Sequence, residues 1–167
     1  MNNILAMDPS GSFHEGKGTT GWCLLDLDDT SNILTGFISA KNYDSDTLYW
    51  KAHIDLIKEI GQNTVVVEDY SLYADKAKAQ INSKFETSQL IGIMKLYCAM
   101  ENIQIVMQPA RIKTRYPNKI LEHKKILTFK NKRGYLYGTD IHISGHIVDS
   151  IRHAYYYRLK ERLGNKT

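Results

Sequence analysis

Residues 4–11, ILAMDPSG, form an apolar run that ends in a carboxylate and is followed at once by a proline, a serine and a glycine. Ile4 to Asp8 reads as a buried strand that delivers Asp8 to an exposed turn. Strand-forming residues carry the chain through a core, Pro9 cannot continue the ladder, and Gly11 accommodates the reversal. A carboxylate placed in this way is held rigidly at the edge of a sheet. The remaining sequence can then be asked which other acidic or metal-ligating side chains it brings to the same place.

Outward from that strand, the loop Pro9 to Gly18 is long for a hairpin and is a candidate for ligand contact. Gly21 to Leu27 reads as a second strand. A polar turn at 28–32 leads to a third strand, Ile33 to Ala40; Asp26, Asp28 and Asp29 read as turn residues because nothing converges on them. The period then changes. Leu48, Ala52, Leu56 and Ile60 recur every four residues, predicting an amphipathic helix over 44–60, capped by Asp44 or Ser45 and ended by Gly61. Thr64 to Val67 is β-branched without alternation, as suits a strand buried on both faces, and Glu68 and Asp69 end it.

Ser83 and Glu86 have the spacing of a capping box at the head of a long helix, whose apolar surface includes Phe85, Leu90, Ile93, Met94, Tyr97 and Met100. Ile103 to Met107 is a further strand, stopped by Pro109. A short helix is expected over 118–127, a loop over 131–134, and a closing helix over 145–163 with Ile147, Val148, Ile151, Ala154 and Leu159 as its buried face. Three antiparallel strands followed by parallel ones make a mixed five-stranded α/β sheet flanked by helices. The right-handed crossover rule sets the fourth strand parallel to the first, so Asp8 and Glu68 can be neighbours.

At 167 residues the chain fits a single domain, 1–167, able to bury a core without disulfides or structural metal. No apolar run approaches a membrane span, and the N-terminus lacks the basic-then-apolar pattern of a signal peptide, which points to the cytoplasm and to no membrane partner. Cys23 and Cys98 lie among apolar neighbours and read as buried reduced thiols. The net charge of +4 and pI near 8.9 say little alone. Their distribution says more: from Arg111 to Arg133 the chain carries nine cations and Glu122 as its one acid. Such a run can be a solvated face or a phosphate-binding one, and the acidic set tilts it towards nucleic acid.

Asp8, Glu68 and Asp149 each have an ordinary structural explanation when taken alone. Together they place two acids at the ends of adjacent core strands, while the closing helix offers His146 and Asp149 at an i, i+3 spacing on one face. Carboxylates so gathered repel one another unless a cation neutralises them. Mg²⁺ or Mn²⁺ suits oxygen-rich ligands of this kind. Two such ions, roughly 3.5–4 Å apart, can activate water and stabilise the leaving oxygen of a phosphodiester displacement.

The segments ILAMDPSGS and TTGWCLLD near the N-terminus, VVVEDY at 65–70, SQLIGI at 88–93, QPARIKT at 108–114 and GHIVDSIRHA at 145–154 resemble, in order and spacing, the RuvC family of Holliday junction resolvases. They are most similar to the small RuvC-like resolvases of lactococcal and related phages. The resemblance implies an RNase H-like fold and a homodimer acting on branched DNA, chiefly four-way junctions. It also implies two Mg²⁺ or Mn²⁺ ions per active site, nicks leaving 5′-phosphate and 3′-hydroxyl ends, and the cytoplasm of the host cell if the protein is phage-encoded.

Asp8, Glu68, His146 and Asp149 match the family's catalytic and metal-binding positions. Many relatives have Asp-x-x-Asp where this chain has His146-x-x-Asp149, so His146 either binds a metal or orients a water. Two other features depart from the family: a longer turn after Asp8, and no aromatic at the usual offset beyond the second acid. Tyr70, Leu72 and Tyr73 are the candidates for stacking on a junction base, with core packing as the alternative. Lys113 and Arg115 lie where the family's DNA-contacting lysine is found. Arg111, Lys76, Lys78, Lys119, Lys124 and Lys125 would add phosphate contacts. Nucleases of forks, flaps or RNA–DNA hybrids, and a junction-binding protein without cleavage, are the competing readings.

Overall fold

The computed structural model describes residues 2–60, 63–70, 85–131 and 133–164. Its main sheet has the order β3-β2-β1-β4-β5, built from β1 (Asn3–Asp8), β2 (Thr19–Asp26), β3 (Ile33–Ser39), β4 (Thr64–Asp69) and β5 (Gln104–Pro109). β1 pairs antiparallel with β2 and parallel with β4, β2 pairs antiparallel with β3, and β4 parallel with β5. This is the mixed five-stranded arrangement of the RNase H-like fold. Val65, Val66 and Val67 have no solvent exposure, as a strand covered on both faces requires.

Alternation along the strands sorts the core into two layers. Leu5, Met7, Val65 and Val67 face α1 (Asp46–Ile60) and α2 (Glu86–Met100). Ile4, Ala6, Cys23, Leu25 and Val66 face α5 (Gly145–Gly164). Cys23 and Cys98 are buried free thiols. Among the described residues, no helix is long and apolar enough to cross a membrane.

Helix ends follow local chemistry. Ser45 Oγ accepts the Leu48 N–H at the head of α1, and Ser144 Oγ accepts the Ile147 N–H at the head of α5. α2 ends with Asn102 at φ 55 and the Ile103 N–H on the Cys98 carbonyl, a Schellman closure.

Several expectations are corrected. The buried stripe of α1 is Tyr49, His53 and Ile57, while Leu48 is 47% exposed. The reason is a polar network: His53 donates through Nδ1 to the Tyr49 carbonyl and meets Thr20 Oγ1 through Nε2, and Tyr49 donates to the Ser10 carbonyl. Ser83 lies outside the described residues, and Glu86 is the first residue of α2, with Phe85 at the cap position. The Glu86 carboxylate instead accepts the N–H groups of Phe13 and His14. With Gly11 N–H donating to Thr87 Oγ1 and Ser10 N–H to Thr20 Oγ1, the loop after β1 spends much of its backbone polarity on the protein.

The basic region also differs from expectation. After α3 (Ile112–Arg115) and α4 (Asn118–His123), the chain makes a second, antiparallel sheet of β6 (Leu127–Lys130), β7 (Arg133–Leu136) and β8 (His142–Ile143). α4 stops early because Lys125 takes φ 55 and the Ile126 N–H closes on the Leu121 carbonyl. Lys130 pairs with Arg133 and Phe129 with Gly134, so Arg133 and Gly134, expected in a loop, are strand residues. Leu159, expected inside, is 44% exposed, whereas Ser150, Arg152 and His153 of α5 are buried.

Candidate metal centre

Strand parity decides which side chains share a face. Asp8 follows Ile4 and Ala6, Glu68 follows Val66, and Gln108 follows Val106, so all three point to the α5 side of the sheet at one end. In register, Asp8 pairs with Gly21 and Glu68 with Gln108. Gly21 is what lets the helix close in: a Cβ there would overlap the backbone of His146 and Ile147. The first turn of α5 thus rests on the sheet beside Asp8. His146, Asp149 and His153, at i, i+3 and i+7, run along one helical stripe across the ends of β1 and β4.

One oxygen from each of Asp8, Glu68 and Asp149 lies within 4.8 Å of the others. Each carboxylate is also held by a side chain of α5. His146 Nδ1 is 2.6 Å from Asp8 Oδ2, His153 Nε2 is 2.8 Å from Glu68 Oε2, and Arg152 donates to Asp149 Oδ1. Arg152 is fixed in turn by the Tyr116 carbonyl and Asn118 Oδ1. The other oxygens of Glu68 and Asp149 face a cation: Lys113 Nζ lies 2.7 Å from Asp149 Oδ2 and 3.7 Å from Glu68 Oε1.

The electrostatics follow this geometry. Burial, helped by the Glu68 and Asp149 charges, raises the Asp8 pKa against the opposing hydrogen bond from His146. At Glu68 burial acts upward, but the His153 hydrogen bond and the Lys113 charge outweigh it and the pKa falls. The bond to Asp8 raises His146 against burial. Burial works to lower Lys113, yet the hydrogen bond to Asp149 and the surrounding acids leave it raised. The three carboxylates, two of them facing the Lys113 ammonium, could serve as a donor set for a hard divalent cation, whose ligands are oxygens at about 2.0–2.6 Å. The Lys113 ammonium shows that a positive charge fits there. His146 stands beside this set, bound to Asp8.

Sequence reading missed Gly21, Gln108, Arg152 and His153. The signal available for the last was the 146, 149, 153 spacing. Of the residues expected to contact DNA, Arg111, Lys113, Arg115 and Lys119 are exposed on or beside α3 and α4, and Arg115 donates to the Tyr156 hydroxyl. Lys124 and Lys125 lie at the opposite end of the sheet, lining a cavity of about 500 Å³ with Thr30, Ser31 and Arg158. Tyr70 is half-buried and packs against the core behind β4. Leu72, Tyr73, Lys76 and Lys78 lie outside the described residues.

No family model and no curated protein matches the sequence. Among solved structures, the chain is similar to Thermus thermophilus RuvC in complex with Holliday junction substrate. The TM-score is 0.67 at 10% identity, covering 98% of this chain and 97% of that one. It is likewise similar to a second Thermus thermophilus RuvC structure, with a TM-score of 0.63 at 9% identity over 97% and 96% of the two chains. The fold of this chain is thus the RuvC-type, RNase H-like fold.

Proposed function

We propose that this chain is a metal-dependent endodeoxyribonuclease that resolves four-way DNA junctions, nicking two strands to leave 5′-phosphate ends. The observation that carries the reading is the convergence of Asp8, Glu68 and Asp149 at one end of the sheet, in a fold shared over nearly its whole length with a protein solved on a Holliday junction. Residues 1–167 act as one nuclease domain, similar to the small phage resolvases, in the cytoplasm, which is that of the host cell if the protein is phage-encoded.

Asp8, Glu68 and Asp149 would hold Mg²⁺ or Mn²⁺, two ions per active site, which when bound supply an activated water and stabilise the leaving oxygen. His146 steadies Asp8 through its 2.6 Å contact and is placed to bind an ion or orient the attacking water. Arg111, Arg115 and Lys119 supply positive charge for the DNA backbone. Lys113, beside the acids, can turn to a phosphate once a metal takes its place. The reading includes a homodimer, for which Leu96 and Met100, 63% and 70% exposed one turn apart on α2, offer an apolar face.

The test is cleavage of labelled four-way junction, fork, flap and RNA–DNA hybrid in the same salt, with and without divalent metal. Paired, religatable nicks in the junction that require metal are expected. An intact junction in both Mg²⁺ and Mn²⁺ would refute the proposal.

A further inference from the structure

His153 has no solvent exposure, yet both of its ring nitrogens have polar partners: Glu68 Oε2 at 2.8 Å from Nε2 and Gln108 Oε1 at 2.8 Å from Nδ1. An apolar side chain would fill this volume without the cost of taking two polar nitrogens out of water. The position of the partners explains the histidine. Gln108 is the β5 residue paired in register with Glu68, so the imidazole spans two adjacent strands at the edge of the acidic cluster. It occupies one oxygen of Glu68 and leaves Oε1, the oxygen that faces the Lys113 ammonium.

We propose that His153 is a positioning residue for the metal centre: it holds the Glu68 carboxylate in a single rotation with Oε1 turned to the cation, and Gln108 sets the orientation of the imidazole. This rests on the reading of Asp8, Glu68 and Asp149 as metal ligands and assigns that site a supporting pair. Without the donor, Glu68 is free to rotate about its last bond or pair more fully with Lys113. Partners of this kind behind a ligating carboxylate typically change metal affinity by about 10–100-fold.

The test is Mn²⁺ binding by the full chain, followed by calorimetry and by the electron paramagnetic resonance of free Mn²⁺, well below each variant's melting temperature. His153→Gln carries an amide donor to the place of Nε2, whereas His153→Asn reaches only the place of Nδ1. Expected are a loss of at least about tenfold in His153→Ala and His153→Asn and recovery to within about threefold of wild type in His153→Gln. A purely structural histidine would lower the melting temperature of these variants without separating Gln from Asn in metal affinity.

Wild-type affinity in the alanine variant, or glutamine no better than asparagine, would overturn the proposal. If the alanine variant does not fold, the Gln and Asn pair decides. If those also fail, Gln108→Ala decides, with a loss on the order of threefold expected and none overturning the assignment. Mn²⁺ binding by a wild-type protein that cuts no branched DNA would remove the nuclease reading and leave this one standing. No Mn²⁺ binding by wild type at millimolar concentration would overturn both.

Discussion

The Lys113 ammonium donates to Asp149 Oδ2 at 2.7 Å, the oxygen that Arg152 leaves unused. The two cations therefore divide one carboxylate between them, and the more exposed Lys113 holds the oxygen turned towards Glu68 and the acidic cluster. If the three acids hold a divalent cation as proposed, Lys113 is the counter-ion that the cation would displace. Lys113→Gln is expected to tighten Mn²⁺ binding, by about fivefold or less, because an ion pair with a side chain 43% exposed is worth about 1 kcal/mol at most. Calorimetry on the two proteins checks the direction. The same variant should lower the affinity for junction DNA at low salt and flatten its salt dependence.

Gly21 carries a second expectation. Its missing side chain admits the backbone of His146, so Gly21→Ala must push the first turn of α5 away from β2. Overpacking against a backbone cannot be relieved by a rotamer change, and a loss of at least about 2 kcal/mol in folding stability is expected. Because His146 and Asp149 ride on that turn, metal affinity should fall in the protein that remains folded. Denaturant melts and Mn²⁺ titration measure the two effects separately.

What was legible in the sequence depended on how each residue advertises itself. The apolar run ending at Asp8, the β-branched run ending at Glu68 and the His146-x-x-Asp149 helix each announce element and position together, so the sheet order and the three gathered acids follow from topology. The second sheet does not, because its strands of four, four and two residues sit inside a basic run whose charge dominates the reading. The stripe of α1 is displaced by one residue because Tyr49 and His53 bury themselves through hydrogen bonds that an apolar period cannot register. Arg152 and His153 are hidden for a related reason: a buried cation and a buried imidazole become intelligible only beside Asp149 and Glu68.

Asp8→Asn separates binding from chemistry. The amide keeps the shape of the side chain, so junction binding in the absence of metal should be unchanged within about twofold, while cleavage should fall by at least about a thousandfold, roughly 4 kcal/mol of activation free energy. Since burial raises the Asp8 pKa, the ionised carboxylate costs the metal-free fold some stability relative to the unfolded chain. The metal-free variant should accordingly melt no lower than wild type. Gel-shift, cleavage and thermal melting on one preparation test all three statements, and loss of junction binding with the fold intact would remove Asp8 from a purely catalytic role.

His53 ties the turn after Asp8 to α1, and its protonation should be visible in stability. Burial pushes its pKa from 6.5 down to about 4, because the ring is enclosed by Tyr49 and Thr20 with no carboxylate bonded to it among the described residues. The folded value lies below the unfolded one, so between these two pH values the unfolded chain binds the extra proton. Stability is therefore full above about pH 6.5, falls as the pH drops through the window, and levels off below about 4, for a total on the order of 3 kcal/mol. His53→Gln keeps an amide for Thr20 but cannot take up this proton. Its stability at pH 7 should be lower than wild type, and its decline between pH 6.5 and 5 shallower. Urea midpoints for the two proteins across that range measure the difference, and parallel curves would show that His53 is not the group responsible.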